Sequence, residues 1–236
     1  MGEEICKTRA ETVRRMFSGI ASSYVLMNKV ITLGMDSVWR RRLIRAASFP
    51  ARAFILDVGS GTGDISLDAS GMDRSLRPVA VDFTLEMMKE GRRREGACRI
   101  LWCCAEASDL PFRDCTFDGV VSGYLLRNVE EVRAAVREQV RVVKPRGRIA
   151  ALDTSPPPPG LLQPLVLLYF RFAIPFLGQT IARNRAAYEY LPGSTRAFLQ
   201  PEKLAEIMEE EGLKNVRVQR FMLGTQVVLS GTRRTV

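Results

Sequence analysis

The sequence predicts an α/β fold on a mostly parallel sheet, and two observations carry that prediction. From Ala51 onward, strand-like apolar runs alternate with helical stretches, the order that right-handed crossovers turn into parallel strands. The first two runs also end in acidic residues, Asp57 in FILDVGSGTG and Asp82 in VAVDFT, with a glycine-rich break after the first. Such an arrangement builds a nucleoside pocket at the carboxyl ends of neighbouring strands. A chain of 236 residues that is 46% hydrophobic can bury a real core as one domain spanning 1–236.

The elements follow in order. Residues 5–50 read as a helical cap. In DSVWRRRLIRAAS, Asp36 is an expected N-cap, and Val38, Trp39, Leu43 and Ile44 recur on one face. The stretch before it, FSGIASSYVLMNKVITLGM, is apolar but poorly periodic, which suggests an irregular cap over the pocket. Strands are expected at Ala53–Asp57, Val79–Asp82, Ile100–Cys103, Gly119–Ser122 and Arg148–Leu152. Helices are expected near Asp64–Ser70, Leu85–Arg94 and Val129–Val143, the last with Val132, Val136, Val140 and Val143 at helical spacing. Lys144-Pro145-Arg146-Gly147 should stop that helix in a turn. The prolines of SPPPPG remove successive donors and open an insertion over 155–195. Its run LLQPLVLLYFRFAIPFLGQTIA is broken by Gln163, Pro164, Arg171 and Pro175. That favours a hydrophobic lid over a membrane span, which needs about 20 mostly apolar residues; a core or dimer-contact helix is the other reading. A helix at Pro201–Glu211 and an antiparallel hairpin, Val216–Phe221 with Gln226–Ser230, complete the chain at the sheet edge.

The chemistry starts at the glycine break. The pattern D-x-G-x-G-x-G of Asp57, Gly59, Gly61 and Gly63 is not the G-x-G-x-x-G of a dinucleotide site, and a carboxylate at Asp57 would repel a pyrophosphate. It suits a cationic or zwitterionic ligand such as S-adenosyl-L-methionine, with Asp82 accepting the ribose hydroxyls.

The net charge of +9 and the runs Arg40–Arg42, Arg92–Arg94 and Arg233–Arg234 read either as attraction to an anionic membrane surface or as a solvated basic face. No aromatic interleaving suggests a nucleic-acid groove. The five cysteines form no C-x-x-C pair and there is no histidine. The expectation is therefore no zinc and a reduced, cytoplasmic setting. The charged start MGEEICKTRAETVRR lacks an apolar signal core.

Several segments beyond the glycine loop carry a resemblance: Tyr24-Val25-Leu26-Met27-Asn28, LGMDSVWRR, LLRNVEEVRAAVREQVRVVKPRGR, ALDTSPP and AAYEYLPGSTRAF. Together they resemble the ubiquinone/menaquinone biosynthesis C-methyltransferase family, over about Phe17 to Arg233. The resemblance implies a Rossmann-like class I methyltransferase fold, with a seven-stranded sheet, an antiparallel edge hairpin and a helical insertion before the last helix. It implies methyl transfer from S-adenosyl-L-methionine to a ring carbon of a lipophilic quinol, foremost demethylmenaquinol. Another lipophilic substrate, or a non-catalytic scaffold subunit, are the rival readings. Asp57, Gly59, Gly61 and Gly63 would cradle the methionine part. Asp82 would take the ribose hydroxyls, Glu106 and Ala107 would lie at the adenine edge, and Ser122 at the methyl-donor end, with Ser60, Thr62 and Phe83 as further cofactor neighbours. Arg127 would stabilise an ionised quinol and orient water, with Asn128 on a ring hydroxyl. Asp153 and Tyr24 are the candidate bases, and an ion pair is the structural alternative for Arg127. Tyr188 and Tyr190 should pack or line the pocket. Two departures stand out: Val25 replaces the family's aspartate, and Asp153 its glutamate. Contact with a membrane surface and a homodimer complete the expectations.

Overall fold

The computed structural model describes residues 8–158, 160, 163–181 and 184–235. Three helices come first: α1 (Arg9–Ile20), α2 (Tyr24–Ile31) and α3 (Asp36–Ala47). Thr8 and Glu11 close a reciprocal capping box on α1. Residues 5–7 of the expected cap lie outside the described residues. Asp36 is not an N-cap. It is the first residue of α3, and its carboxylate takes Arg40 Nη1 at 2.6 Å and the Thr32 hydroxyl at 3.1 Å. A charged partner one turn on outcompetes the cap role.

The alternating half of the chain forms one seven-stranded sheet in the order β3-β2-β1-β4-β5-β7-β6. The strands are β1 (Phe54–Val58), β2 (Arg77–Asp82), β3 (Leu101–Cys104), β4 (Phe117–Gly123), β5 (Val143–Thr154), β6 (Leu213–Phe221) and β7 (Gln226–Arg233). Strands β1 to β5 pair in parallel, and β7 joins β5 and β6 antiparallel. The crossover helices are α4 (Asp64–Met72), α5 (Leu85–Arg92) and α6 (Val132–Val142). The expected turn at Lys144–Gly147 is absent. Helix α6 runs directly into β5, and the extra residues form an irregularity between the pairs Phe117–Val143 and Gly119–Arg148, with Arg146 at φ +64°. A bulge lets the chain stay in the sheet where a proline removes one donor.

Strand alternation divides the core in two. Leu56, Val58, Val120, Ile149 and Leu229 pack with Val136 and Val140 of α6 and with Leu204 and Ile207 of α10 (Pro201–Glu210). Ile55, Val121, Ala150, Leu152 and Val228 face Trp39, Leu43 and Ala47 of α3 and Ile65 and Ala69 of α4.

The insertion is helical. It comprises α7 (Gln163–Leu168), a π-helical turn at Tyr169–Ala173, α8 (Ile174–Thr180) and α9 (Arg185–Ala197). Ile174, Ala187 and Tyr188 close a small third cluster with Ile20 and Met27. The Tyr169 hydroxyl donates to the Ile31 carbonyl at 2.6 Å, which fastens the insertion to α2. No helix among the described residues is long and apolar enough to cross a membrane.

Candidate active site

At the carboxyl ends of β1, β2 and β4 the chain breaks into turns, and two cavities meet there. The larger holds about 1140 Å³ and the smaller about 310 Å³. They share walls at Phe17, Tyr24, Gly59, Gly61, Gly123, Tyr124 and Asn128.

The glycine turn is shaped by close neighbours. Gly59 has φ +68°, and a Cβ there would lie 2.6 Å from Leu125. Gly63 caps α4 at φ +73°, where a Cβ would meet Trp102 at 2.5 Å. Only glycine fits both the conformation and the space. Gly61 N–H donates to Asp82 Oδ2 at 2.7 Å, and Thr84 N–H donates to Asp82 Oδ1 at 2.7 Å. Burial raises the Asp82 pKa against those donors. Asp82 and Phe83 line the small cavity beside exposed Glu106 and part-buried Ala107.

Other expected donor residues sit elsewhere. Asp57 does not reach either cavity wall. Strand alternation turns it under α4, where Oδ2 accepts the Ser66 N–H at 3.1 Å and hydroxyl at 2.8 Å. Its Oδ1 has no partner, and burial pushes its pKa up to about 7. Thr62 is buried and donates to Asp64 Oδ2 at 2.6 Å, so its hydroxyl serves the first turn of α4. Ser122 is buried one residue short of the wall that Gly123 and Tyr124 form. Gly63 likewise lines neither cavity, whereas Ser60 lines the large one with its hydroxyl unpartnered.

The expected catalytic group comes together differently. Arg127 lines the large cavity and is buried. Its Nη1 donates to Asp153 Oδ1 at 2.6 Å and to the Thr154 hydroxyl at 3.2 Å, while Nε has no partner. Its guanidinium stands 5.1 Å from the centre of the Tyr124 ring, within cation–π range. Asp153 faces Arg127 and not a cavity. It also accepts the N–H groups of Thr154 at 2.8 Å and Arg127 at 3.3 Å. Burial raises its pKa, and Arg127 works against that rise. It is therefore a partner to Arg127 and not a base open to substrate: the ion pair is real, at the cavity wall. Tyr24 lines both cavities, but burial raises its phenol pKa above the ordinary value, outweighing a side-chain bond from Asn28. A raised pKa disfavours its ionised, proton-accepting form. Asn128 donates through Nδ2 to the Tyr124 carbonyl at 2.8 Å and keeps Oδ1 unpartnered between the cavities. Tyr188 and Tyr190 line the large cavity.

Two groups escape the sequence reading. Tyr124 stands at the junction with φ +56°, and its hydroxyl donates to Gln226 at 3.1 Å. Burial drives its pKa up strongly. No residue pattern announces a left-handed tyrosine. The second is the charged cluster of Asp36, Arg40 and Asp64 on the large cavity wall. Its members come from α3 and α4, far apart in the chain.

The model of the ubiE/COQ5 methyltransferase family matches residues 5–233. The chain is 43% identical over 226 residues to a ubiquinone/menaquinone biosynthesis C-methyltransferase of Desulfotalea psychrophila, covering 94% of this chain and 91% of the relative. It is 38% identical to a demethylmenaquinone methyltransferase of Roseiflexus castenholzii, covering 96% and 95%. Among solved structures, a SAM-dependent methyltransferase of Thermotoga maritima shares the fold with a TM-score of 0.68 at 14% identity, over 94% of this chain and all of the other. The chain belongs to the ubiE/COQ5 methyltransferase family.

Proposed function

We propose that the chain methylates a ring carbon of a polyprenyl quinol, converting demethylmenaquinol to menaquinol, with S-adenosyl-L-methionine as donor. The observation that carries this reading is the pair of neighbouring cavities that share walls at Gly59, Gly61, Gly123 and Tyr124. One has a nucleoside-type wall, the other is large and mostly apolar. The names of the relatives supply the quinone class.

The residues present fit the donor. Gly59 and Gly61 line both cavities with backbone that carries no side chain, Asp82 offers a carboxylate at the end of β2, and Ser60 lines the large cavity with an unpartnered hydroxyl. Asp82, Phe83, Glu106 and Ala107 would hold the adenosine in the small cavity. S-adenosyl-L-methionine, when bound, supplies an electrophilic methyl group.

The chain's own part is to make the acceptor carbon nucleophilic. Arg127, fixed by Asp153 and Thr154, places a positive charge on the wall of the acceptor cavity. It stabilises the ring oxygen as that oxygen ionises, and electron density moves onto the neighbouring carbon. The Asn128 amide oxygen can accept from the other hydroxyl. Asp153 is taken up by Arg127 and the Tyr24 phenol has a raised pKa, so in this reading the hydroxyl proton and, after methyl transfer, the ring C–H proton pass to water. The lid and cap exclude bulk solvent around the ring. At the mouth of the large cavity, Leu33, Leu165, Leu168, Phe172, Phe176 and Leu223 are exposed. In this reading they touch a bilayer surface and admit the substrate tail; a dimer contact is the competing use of the same rim. The test is mass spectrometry of the quinone pool in cells with and without the protein. Loss of the protein should leave a quinone lighter by one methylene. An unchanged pool would overturn the reading.

A further inference from the structure

Once Asp57 is turned away, no charged group of the glycine turn's own strand faces an amino-acid ligand. A charged cluster on the other side of the turn does. Arg40 of α3 and Asp36 and Asp64 line the large cavity beside Gly59, Ser60 and Gly61. Arg40 donates from Nε to Asp68 Oδ2 at 2.6 Å and from Nη1 to Asp36 Oδ2 at 2.6 Å. Its Nη2 stands 3.9 Å from Asp64 Oδ1, too far for a hydrogen bond. Asp64 is held in turn by Arg94 Nη1 at 2.9 Å and by the Thr62 hydroxyl at 2.6 Å. Two of the guanidinium's three nitrogens thus lock its plane, and the third keeps its donors for another acceptor. Two arginines against Asp36, Asp64 and Asp68 leave the cluster one negative charge, which matches a donor that carries one net positive charge.

We infer that Arg40 Nη2 binds the α-carboxylate of the donor's amino-acid end, with Asp64 beside its α-ammonium. This inference rests on the proposed donor. The adenosine would occupy the Asp82 cavity, and the amino-acid end would cross Gly61, which lines both cavities, to reach the Arg40 side. Arg40 therefore selects the intact amino-acid end over truncated adenosyl compounds. A rigid fork suits a carboxylate better than an ammonium would.

Calorimetry on the full chain tests this with three ligands: S-adenosylmethionine, its decarboxylated form, and 5′-methylthioadenosine, which lacks the whole amino-acid end. The wild-type chain should bind S-adenosylmethionine at least about tenfold more tightly than the decarboxylated form, the scale of one charge-assisted bond. Arg40→Gln should bring that ratio close to one and leave methylthioadenosine affinity unchanged, which also reports an intact fold. Arg40→Lys keeps the charge among the aspartates and should retain only part of the ratio; it serves if the glutamine variant does not fold. Equal wild-type affinity for the carboxylated and decarboxylated ligands overturns the inference, and so does a parallel loss of all three ligands in both variants. If wild type binds no adenosyl ligand at all, the donor reading itself has failed. Binding of methylthioadenosine without carboxylate preference sinks the Arg40 assignment alone.

Discussion

Arg127 and Asp153 are each intelligible only through the other. A buried arginine that loses its carboxylate, or the reverse, leaves an uncompensated charge that costs about 3–5 kcal/mol. Arg127→Ala should therefore lower stability as well as turnover. Turnover should fall on the order of 10² or more, as when one oxyanion donor is lost, while donor affinity by calorimetry barely moves. Arg127→Ala combined with Asp153→Asn should recover stability without recovering turnover, and Arg127→Lys should recover part of the turnover. Raising the pH should partly rescue the alanine variant, because more quinol then ionises unaided. Near-normal turnover in Arg127→Ala would end the anion-stabilising assignment. Asp57 makes a separate prediction. Unfolded, it loses its proton near pH 4; folded, it holds the proton up to about 7. The native state binds the extra proton between those limits, so on this account stability falls as pH rises from about 4 to 7. In Asp57→Asn the amide oxygen can still accept from Ser66, with the NH₂ taking the place of the unpartnered Oδ1. The difference in melting temperature between variant and wild type should grow across that window. Parallel pH curves for the two proteins would remove the raised pKa.

At the scale of elements, the helical insertion is where composition becomes shape. The π-helical turn at Tyr169–Ala173 widens the helix between α7 and α8, a feature that often marks a functional segment. It leaves Leu168 and Phe172 exposed at the cavity mouth and the Tyr169 hydroxyl on Ile31. If these side chains guide a prenyl tail, long-chain quinols should react better than short-chain ones, by at most about 0.8 kcal/mol per buried methylene. Replacing Leu168 and Phe172 by serine should narrow that preference. An equal loss on short and long substrates would assign both residues to packing.

Across the whole molecule, the chain carries nine excess positive charges, and the rim of the large cavity is apolar. This combination suits an anionic bilayer surface, where charge attracts and apolar side chains insert. The protein should co-sediment with anionic vesicles, less with neutral ones, and binding should weaken as salt is added. The double serine variant at Leu168 and Phe172 should bind anionic vesicles more weakly. If wild type ignores both kinds of vesicle and self-associates through the rim instead, the rim is a dimer contact.

The sequence by itself determined the alternation of strands and helices, the mostly parallel sheet and the antiparallel hairpin, because apolar periodicity and turn residues act locally; the strand order came from the fold. It also determined the family, because segments such as LLRN and YEYLPGS are local strings. It could point to Asp82, which ends β2, and, through the resemblance, to Arg127 in the turn after β4. Only the tertiary structure decided which way the side chains face. Strand alternation sends Asp57 under α4 and leaves Ser122 behind the wall, although both belong to recognisable segments. Only the fold brings Arg40 of α3 to Asp64 of α4, and Arg127 to Asp153 across neighbouring strands. Burial then raises the pKa of Asp57 and of Tyr24, since the cost of charging a group depends on the dielectric around it and not on its neighbours in the chain.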